Sequence, residues 1–354
     1  MTRHAATTTA LASLLALALA AGCAHVPPKV PMPAQARQAD GARLLQAGDL
    51  DRAEAAFMLA TEYQPCFPEA LNGLGLVARA RGERALAREL FLRAVHCHND
   101  FVEGHANLGV LALEDGDLAT AERALRAAVA VDPGSVRARY DLGLALIASG
   151  RHDLATGELR KAVAADPGFA LGHAQLAALE AHIGNRAAAD AAVRRALDLA
   201  PADPAVHRIR GDVLRARGEH GEAAAAYERA LRPRPGDTEA RFGLAVTFLA
   251  RGDVSRAEAE VGRVLAARPG HAGARFVRGS LRLAAGDAVA AVADLRAALA
   301  SRPHYPEARL QLATALDALS DRTAARLECR WLQRSGEADL ARRSPACRRL
   351  LAAR

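Results

Sequence analysis

The sequence predicts an all-α chain in which short helix pairs stack one on the next. Three observations carry that prediction. A 34-residue unit recurs nine times between Ala34 and Asp339 with no insertion or deletion (34–67, 68–101, 102–135, 136–169, 170–203, 204–237, 238–271, 272–305, 306–339). Each copy holds two stretches of about a dozen Ala, Leu, Arg and Glu residues, strong helix formers with apolar side chains at helical spacing. Glycine and proline fall at fixed places between those stretches, where helices stop.

Residues 1–22 read as an export signal. Arg3 supplies the positive start, and the apolar stretch Ala10 to Ala21 is too short to span a bilayer comfortably. The segment ends in Leu19-Ala20-Ala21-Gly22-Cys23, which resembles the lipobox of bacterial lipoproteins, although Ala20 stands where Leu is usual. The resemblance implies cleavage before Cys23 and lipidation of its thiol; several acyl chains on one residue give stable membrane anchoring. Ala24, rather than Asp, after the cysteine implies the outer membrane, with the chain facing the periplasm. Ordinary secretion is the alternative, with Ala18-Leu19-Ala20 as a small-x-small cut site. Residues 23–33 then form a lipidated Cys and a linker carrying Pro27, Pro28, Pro31 and Pro33. Such a segment favours polyproline II and holds the first repeat up to about 30 Å from the membrane, at roughly 3 Å per residue.

Within the repeats each fixed column has a physical reason. Place 8 is Gly or Ala in every copy, from Gly41 to Ala313, and place 20 is Ala in every copy, from Ala53 to Ala325. Small residues there let the two helices approach, while larger ones at places 7, 11 and 24, such as Leu244, Phe248 and Val261, fill the space around them. Place 15 is Gly in the first eight copies and Ser320 in the ninth; it supplies the left-handed residue that ends the first helix. Place 32 is Pro in all copies except those with Asn99 and Glu337, and it ends the second helix. Period and columns together resemble the tetratricopeptide repeat (TPR) family, whose unit is a helix–turn–helix. The resemblance spans residues 34–339 of 354. It implies a right-handed α-solenoid of nine antiparallel helix pairs, with first helices lining a concave groove and stability summed over neighbouring repeats. One departure is place 4, where the family favours Trp or another large apolar residue. Here Arg37, Leu71, His105, Arg139, His173, His207, Arg241, Arg275 and Arg309 stand there. Asp40 at place 7 makes the first repeat a polar cap.

Residues 340–354 are expected to form a capping helix and a basic tail, with Leu350 and Leu351 covering the last repeat. With Cys23 lipidated, four cysteines remain, an even number that permits disulfides in an oxidising compartment. In repeat coordinates Cys66 and Cys97 are neighbours on one edge, and Cys329 faces Cys347 of the cap. Pairs Cys66–Cys97 and Cys329–Cys347 are therefore expected, with buried free thiols as the alternative. His96-Cys97-His98 invites a metal reading but has no second cluster at ligand spacing. No Ser/His/Asp set, phosphate loop or HExxH motif has a supporting context, so neither catalytic residues nor a cofactor are expected.

The formal charge of +7 is spread over the repeats, without the aromatic-interleaved basic cluster that grips nucleic acid. Arg342, Arg343, Arg348, Arg349 and Arg354 make the one dense basic spot. If the resemblance holds, places 2, 5, 9 and 12 face the groove. That selects Tyr140, Leu144 and Ile147 in the fourth repeat, Phe242, Val246 and Leu249 in the seventh, and Phe276 and Leu283 in the eighth. Some TPR proteins clamp a C-terminal carboxylate; here Asn107 and Arg137 match that pattern but Leu76 and Asp141 break it, so the clamp is not formed. The expected function is a non-catalytic scaffold for protein partners of the cell envelope, lipid-anchored, resembling the TPR lipoproteins that assist secretin and pilus assembly. An adaptor for peptidoglycan hydrolases or synthases shares the architecture. A repeat-face enzyme or sugar-binding protein is the reading of another class.

Overall fold

The computed structural model describes residues 30–352. The export signal, the Cys23 lipidation site and the linker up to Lys29 lie outside the described residues. The described residues form twenty helices and no strand, in two compact units that divide between Pro133 and Gly134. The N-terminal unit holds α1 (Met32–Gln46), α2 (Leu50–Tyr63), α3 (Pro68–Ala80), α4 (Arg84–Cys97), α5 (Val102–Glu114) and α6 (Leu118–Val131). The C-terminal unit holds α7 (Val136–Ala148), α8 (His152–Ala165), α9 (Ala170–His182), α10 (Arg186–Leu199), α11 (Pro204–Ala216), α12 (His220–Leu231), α13 (Thr238–Ala250), α14 (Val254–Ala267), α15 (Ala272–Ala284), α16 (Ala288–Ser301), α17 (Pro306–Ala318), α18 (Arg322–Arg334), α19 (Ala338–Arg343) and α20 (Pro345–Ala352). Each unit is a solenoid of helix pairs, the two helices of a repeat packed side by side.

One dipeptide makes the turn inside every repeat. Place 15 has φ of 73–87° at its eight glycines and 65° at Ser320. In the first repeat the Gly48 N–H donates to the Leu45 carbonyl and the Asp49 N–H to the Leu44 carbonyl, a Schellman pair that satisfies the last carbonyls of the helix. The same two bonds recur in every copy through Ser320 and Asp321. Place 16 then opens the second helix. The side chains of Asp49, Asp117, Asn185, Asp253, Asp287 and Asp321 each accept from the backbone N–H three residues on. The turn between repeats is extended: Gln64, ahead of Pro65, has φ −142° and ψ 97°. His98 adopts nearly the same conformation ahead of Asn99, so stacking holds the turn where the ring is missing. The ninth repeat, lacking the proline, ends α18 on Gly336 at φ 90°. Helix α12 stops at Leu231, earlier than its counterparts, where Pro233 meets the chain.

The helix pairs close on a size rule. All nine place-20 alanines are completely buried. Place 8 lies against place 24. A Cβ built on Gly41 would sit 2.7 Å from the Phe57 ring, on Gly143 2.9 Å from Leu159, and on Gly211 2.7 Å from Tyr227. Gly75, Gly109 and Gly279 meet Phe91, Leu125 and Leu295 in the same way. Where place 8 is Ala177, Ala245 or Ala313, place 24 shrinks to Val193, Val261 or Cys329. Combined volume is thus held nearly constant, as a close-packed interior requires.

The polar residues at place 4 hold the preceding turn. His105 bonds the Asn99 carbonyl (2.8 Å), His173 that of Pro167 (3.2 Å) and His207 that of Pro201 (2.8 Å). Arg241, Arg275 and Arg309 donate to the carbonyls of Pro235, Pro269 and Pro303 at 2.8, 2.9 and 3.0 Å. Arginine has donors to spare, and a carboxylate at place 23 takes them: Arg139 pairs with Glu158, Arg241 with Glu260, Arg275 with Asp294 and Arg309 with Glu328. Where place 4 is His, place 23 is Ala124, Ala192 or Ala226. The eighth repeat goes further. Arg275, Arg278 and Arg282 all donate to Asp294, which is 1% exposed. Burial pushes the Asp294 carboxyl up, but the bonds from Arg278 and Arg275 prevail and hold it below the usual range.

The ends differ from the sequence reading in two ways. Helix α1 starts at Met32 rather than at the repeat boundary, because Pro33 in the first turn loses no helical bond. The C-terminal cap is two short helices, not one. Ser344, pushed to φ −75° and ψ 122° ahead of Pro345, breaks it. Ala341, Cys347 and Leu350 nevertheless join the core of the ninth repeat beside Leu312, Leu316 and Leu332.

The size rule and the turn separate two kinds of glycine. Gly143→Ala should lower stability by about 1–3 kcal/mol through overpacking, and adding Leu159→Val should recover part of the loss. Gly252 has open space around it, so Gly252→Ala should cost about 1 kcal/mol through backbone strain alone, with no rescue from side-chain trimming. Ser320→Gly should raise stability by roughly 0.5–1 kcal/mol. Urea unfolding followed by circular dichroism measures all four.

Candidate functional site

The candidate site is the row of first helices in the C-terminal unit. Three pairs of consecutive first helices there pack together (α9 with α11, α11 with α13, α15 with α17), whereas consecutive second helices meet far less. Among the places expected on the groove side, 2, 5, 9 and 12, most are half-buried. Helix α7 contributes Tyr140, Leu144 and Ile147, and α9 Leu171, Ala178 and Ala181, its Ala174 being buried. Helix α11 contributes Arg208, Asp212 and Arg215; α13 adds Phe242, Val246 and Leu249; α15 adds Phe276, Ser280 and Leu283. All eight apolar residues selected from the sequence are half-buried.

Their rings have partners of their own. The edge of Tyr140 meets Phe169 with centroids 5.1 Å apart, Phe242 leans on His271 at 4.8 Å, and Phe276 on Tyr305 at 5.0 Å. Each partner is the last residue of the same repeat, at the N-terminus of the next first helix. Gly273 makes room for Phe242: a Cβ there would lie 2.6 Å from the ring. The rings are thus positioned as a semi-rigid surface, one side packed and the other open. Burial pushes the Tyr140 hydroxyl up, so it stays a neutral donor.

The charged layer of α11 was not singled out in the sequence, although charge at places 5, 9 and 12 of one helix marks it. Tyr227 is completely buried, and its hydroxyl donates to Asp212 at 2.7 Å. Arg208 donates to the other Asp212 oxygen at 3.3 Å, and the Arg215 Nε donates to the Tyr227 hydroxyl at 3.3 Å. Burial, then Asp212, pushes the Tyr227 hydroxyl far up. One layer on, Glu239 is held down to about 2 by His271 and Arg268, whose nitrogens lie 3.6 and 2.7 Å away.

In the N-terminal unit Asn107, the one clamp-like residue there, donates to Asn72 at 2.8 Å. The fold brings both expected cysteine pairs together, with Cα–Cα distances of 5.4 Å for Cys66 and Cys97 and 5.5 Å for Cys329 and Cys347, inside the disulfide range. Among the described residues no three His, Cys, Asp or Glu side chains converge as a metal ion would need. No described helix is long and apolar enough to cross a membrane.

Known proteins share the repeat. The tetratricopeptide repeat profile matches residues 41–100, 107–168 and 175–238, more than half of the chain, and a second profile of that description matches 214–276. The chain is 49% identical over 55 residues to cellulose synthase 2 operon protein C of Komagataeibacter xylinus, a stretch that is 16% of this chain and 4% of that protein. Its fold is similar to that in the APC/C hetero-tetramer Cut9–Hcn1 (TM-score 0.59, 17% identity, 79% of this chain and 55% of that one). It is also similar to PilF of Pseudomonas aeruginosa (TM-score 0.51, 18% identity, 59% and 95%). PilW, a widely conserved type IV pilus biogenesis factor, gives TM-score 0.50 at 20% identity, covering 61% and 98%. At these identities the structures show a shared fold. Period, columns, helix pairs and profile agree: the chain belongs to the tetratricopeptide repeat family.

Proposed function

We propose that the chain is a non-catalytic scaffold that captures a protein partner on the first-helix face of its C-terminal unit. The observation that carries this reading is the row of half-buried apolar side chains on successive first helices, Tyr140, Leu144, Ile147, Phe242, Val246, Leu249, Phe276 and Leu283. Held by their neighbours and open on one side, they offer apolar area with little conformational entropy left to lose. The leader and Cys23 support a location in the bacterial envelope with a lipid anchor, and Ala24 favours the outer membrane. The fold shared with PilW supports a role in assembling an envelope complex of the secretin or pilus type. An oxidising compartment then suits the two cysteine pairs, each joining neighbouring elements near one end of the array.

Two measurements test the reading. Partner capture from detergent-solubilised envelope, followed by identification of the captured proteins, should fall at least tenfold for the Tyr140→Ala, Phe242→Ala, Phe276→Ala triple variant at unchanged helicity, the order expected for truncated anchor residues. Undiminished capture would count against this face. Intact mass should show acyl chains on Cys23, lost in Cys23→Ser, and should rise by about 2 Da per bridge on reduction.

A further inference from the structure

The charged layer on α11 bears on what the partner looks like. It interrupts a run of apolar residues: Leu171, Ala178 and Ala181 precede it on α9, and Phe242, Val246 and Leu249 follow it on α13. Arg208 and Arg215 are 30% and 38% exposed and share one carboxylate, Asp212, 32% exposed. Asp212 already accepts from Arg208 and from the Tyr227 hydroxyl. Each guanidinium has five donors, and the bonds above use one or two of them. Two arginines against one carboxylate leave a surplus of one positive charge in a half-desolvated setting, where pairing is worth more than at an open surface. The neighbouring layers bring no competing acid. Helix α9 presents Leu171, Ala178 and Ala181, and Glu239 on α13 is taken by Arg268 and His271. The small residues of α9 also let a partner backbone sink towards the arginines.

We infer that this centre reads an acidic side chain of the bound partner: a segment whose Asp or Glu pairs with Arg208 and Arg215 while a large apolar side chain one layer on lies against Phe242 and Val246. Packed helices are about 8–10 Å apart. An extended peptide covers that in about three residues at roughly 3.3 Å each. The recognised segment therefore carries an acid and a large apolar residue three positions apart. The inference rests on the first-helix face being the capture site.

The test uses the full purified chain on an array of twelve-residue peptides in an Ala/Ser background. Each peptide has one Phe and, three positions before or after it, Glu, Gln or Lys. Glu peptides should be retained about tenfold more strongly than their Gln twins, and Lys peptides less than either, as charge-assisted hydrogen bonds to a half-buried arginine pair imply. Arg208→Gln with Arg215→Gln should erase the Glu preference. Phe242→Ala should weaken Glu and Gln peptides alike. Should the double variant lose helicity, Arg208→Gln alone serves, since Arg208 touches Asp212 and not Tyr227. Equal retention of Glu and Gln peptides, or a preference that survives the arginine changes, would overturn the inference. If Phe242→Ala still weakens retention in that case, the face remains the capture site and only the acid reading falls. Retention of no peptide, or indifference to Phe242→Ala and the arginine changes together, overturns both.

Discussion

The apposition of places 8 and 24 sets the distance between the two helices of every repeat, and the rest follows from that distance. Gly faces Phe, Tyr or Leu, and Ala faces Val or Cys, so a larger residue at one place is met by a smaller one at the other. Only then do the place-20 alanines become fully buried. Only then does each hairpin present the next with a surface of constant shape. The interior is accordingly thin and mostly aliphatic, and each core cluster draws on neighbouring repeats rather than on distant parts of the chain.

The turns add a second constraint. Because one dipeptide both closes the first helix and opens the second, the chain has no slack inside a repeat. Between repeats the slack is removed differently, by proline and by side chains at place 4 that hold the turn carbonyl. These devices orient successive first helices, and through them the rings of Tyr140, Phe242 and Phe276. The surface offered to a partner is thus a by-product of how neighbouring repeats are fastened: the same residue that begins the next first helix supports the ring before it.

Much of the fold was legible because its determinants are single columns. Gly at place 15, Ala at place 20 and Pro at place 32 each act through backbone conformation or volume at their own position. What stayed hidden depends on two columns read together. Arg or His at place 4 looks like a loss of apolar volume until the carbonyl six residues back and the acid or alanine at place 23 are seen beside it. The break at Ser344 depends likewise on a pair, since Pro345 forces its predecessor out of the helix. The groove residues follow from the family pattern as an expectation, but the rings that support them do not, since place 34 lies in the adjoining turn. Asp212 and its arginines were passed over because the search was for apolar exposure, and a charged layer is invisible to it. The leader and Cys23 rest on sequence alone.

Asp294 and its three arginines have a consequence for folding. An array of near-identical hairpins faces a counting problem, because any second helix resembles the one its first helix should meet. The place-23 acid of α16, Asp294, finds arginines at both place 7 and place 11 only on α15, through Arg278 and Arg282. Packed against a first helix with leucine at both places, such as Leu142 and Leu146 or Leu312 and Leu316, the buried Asp294 would lose two of its arginines at a cost of several kcal/mol. The eighth repeat therefore acts as a registration mark, penalising hairpins that skip or exchange partners while the chain is still finding its order.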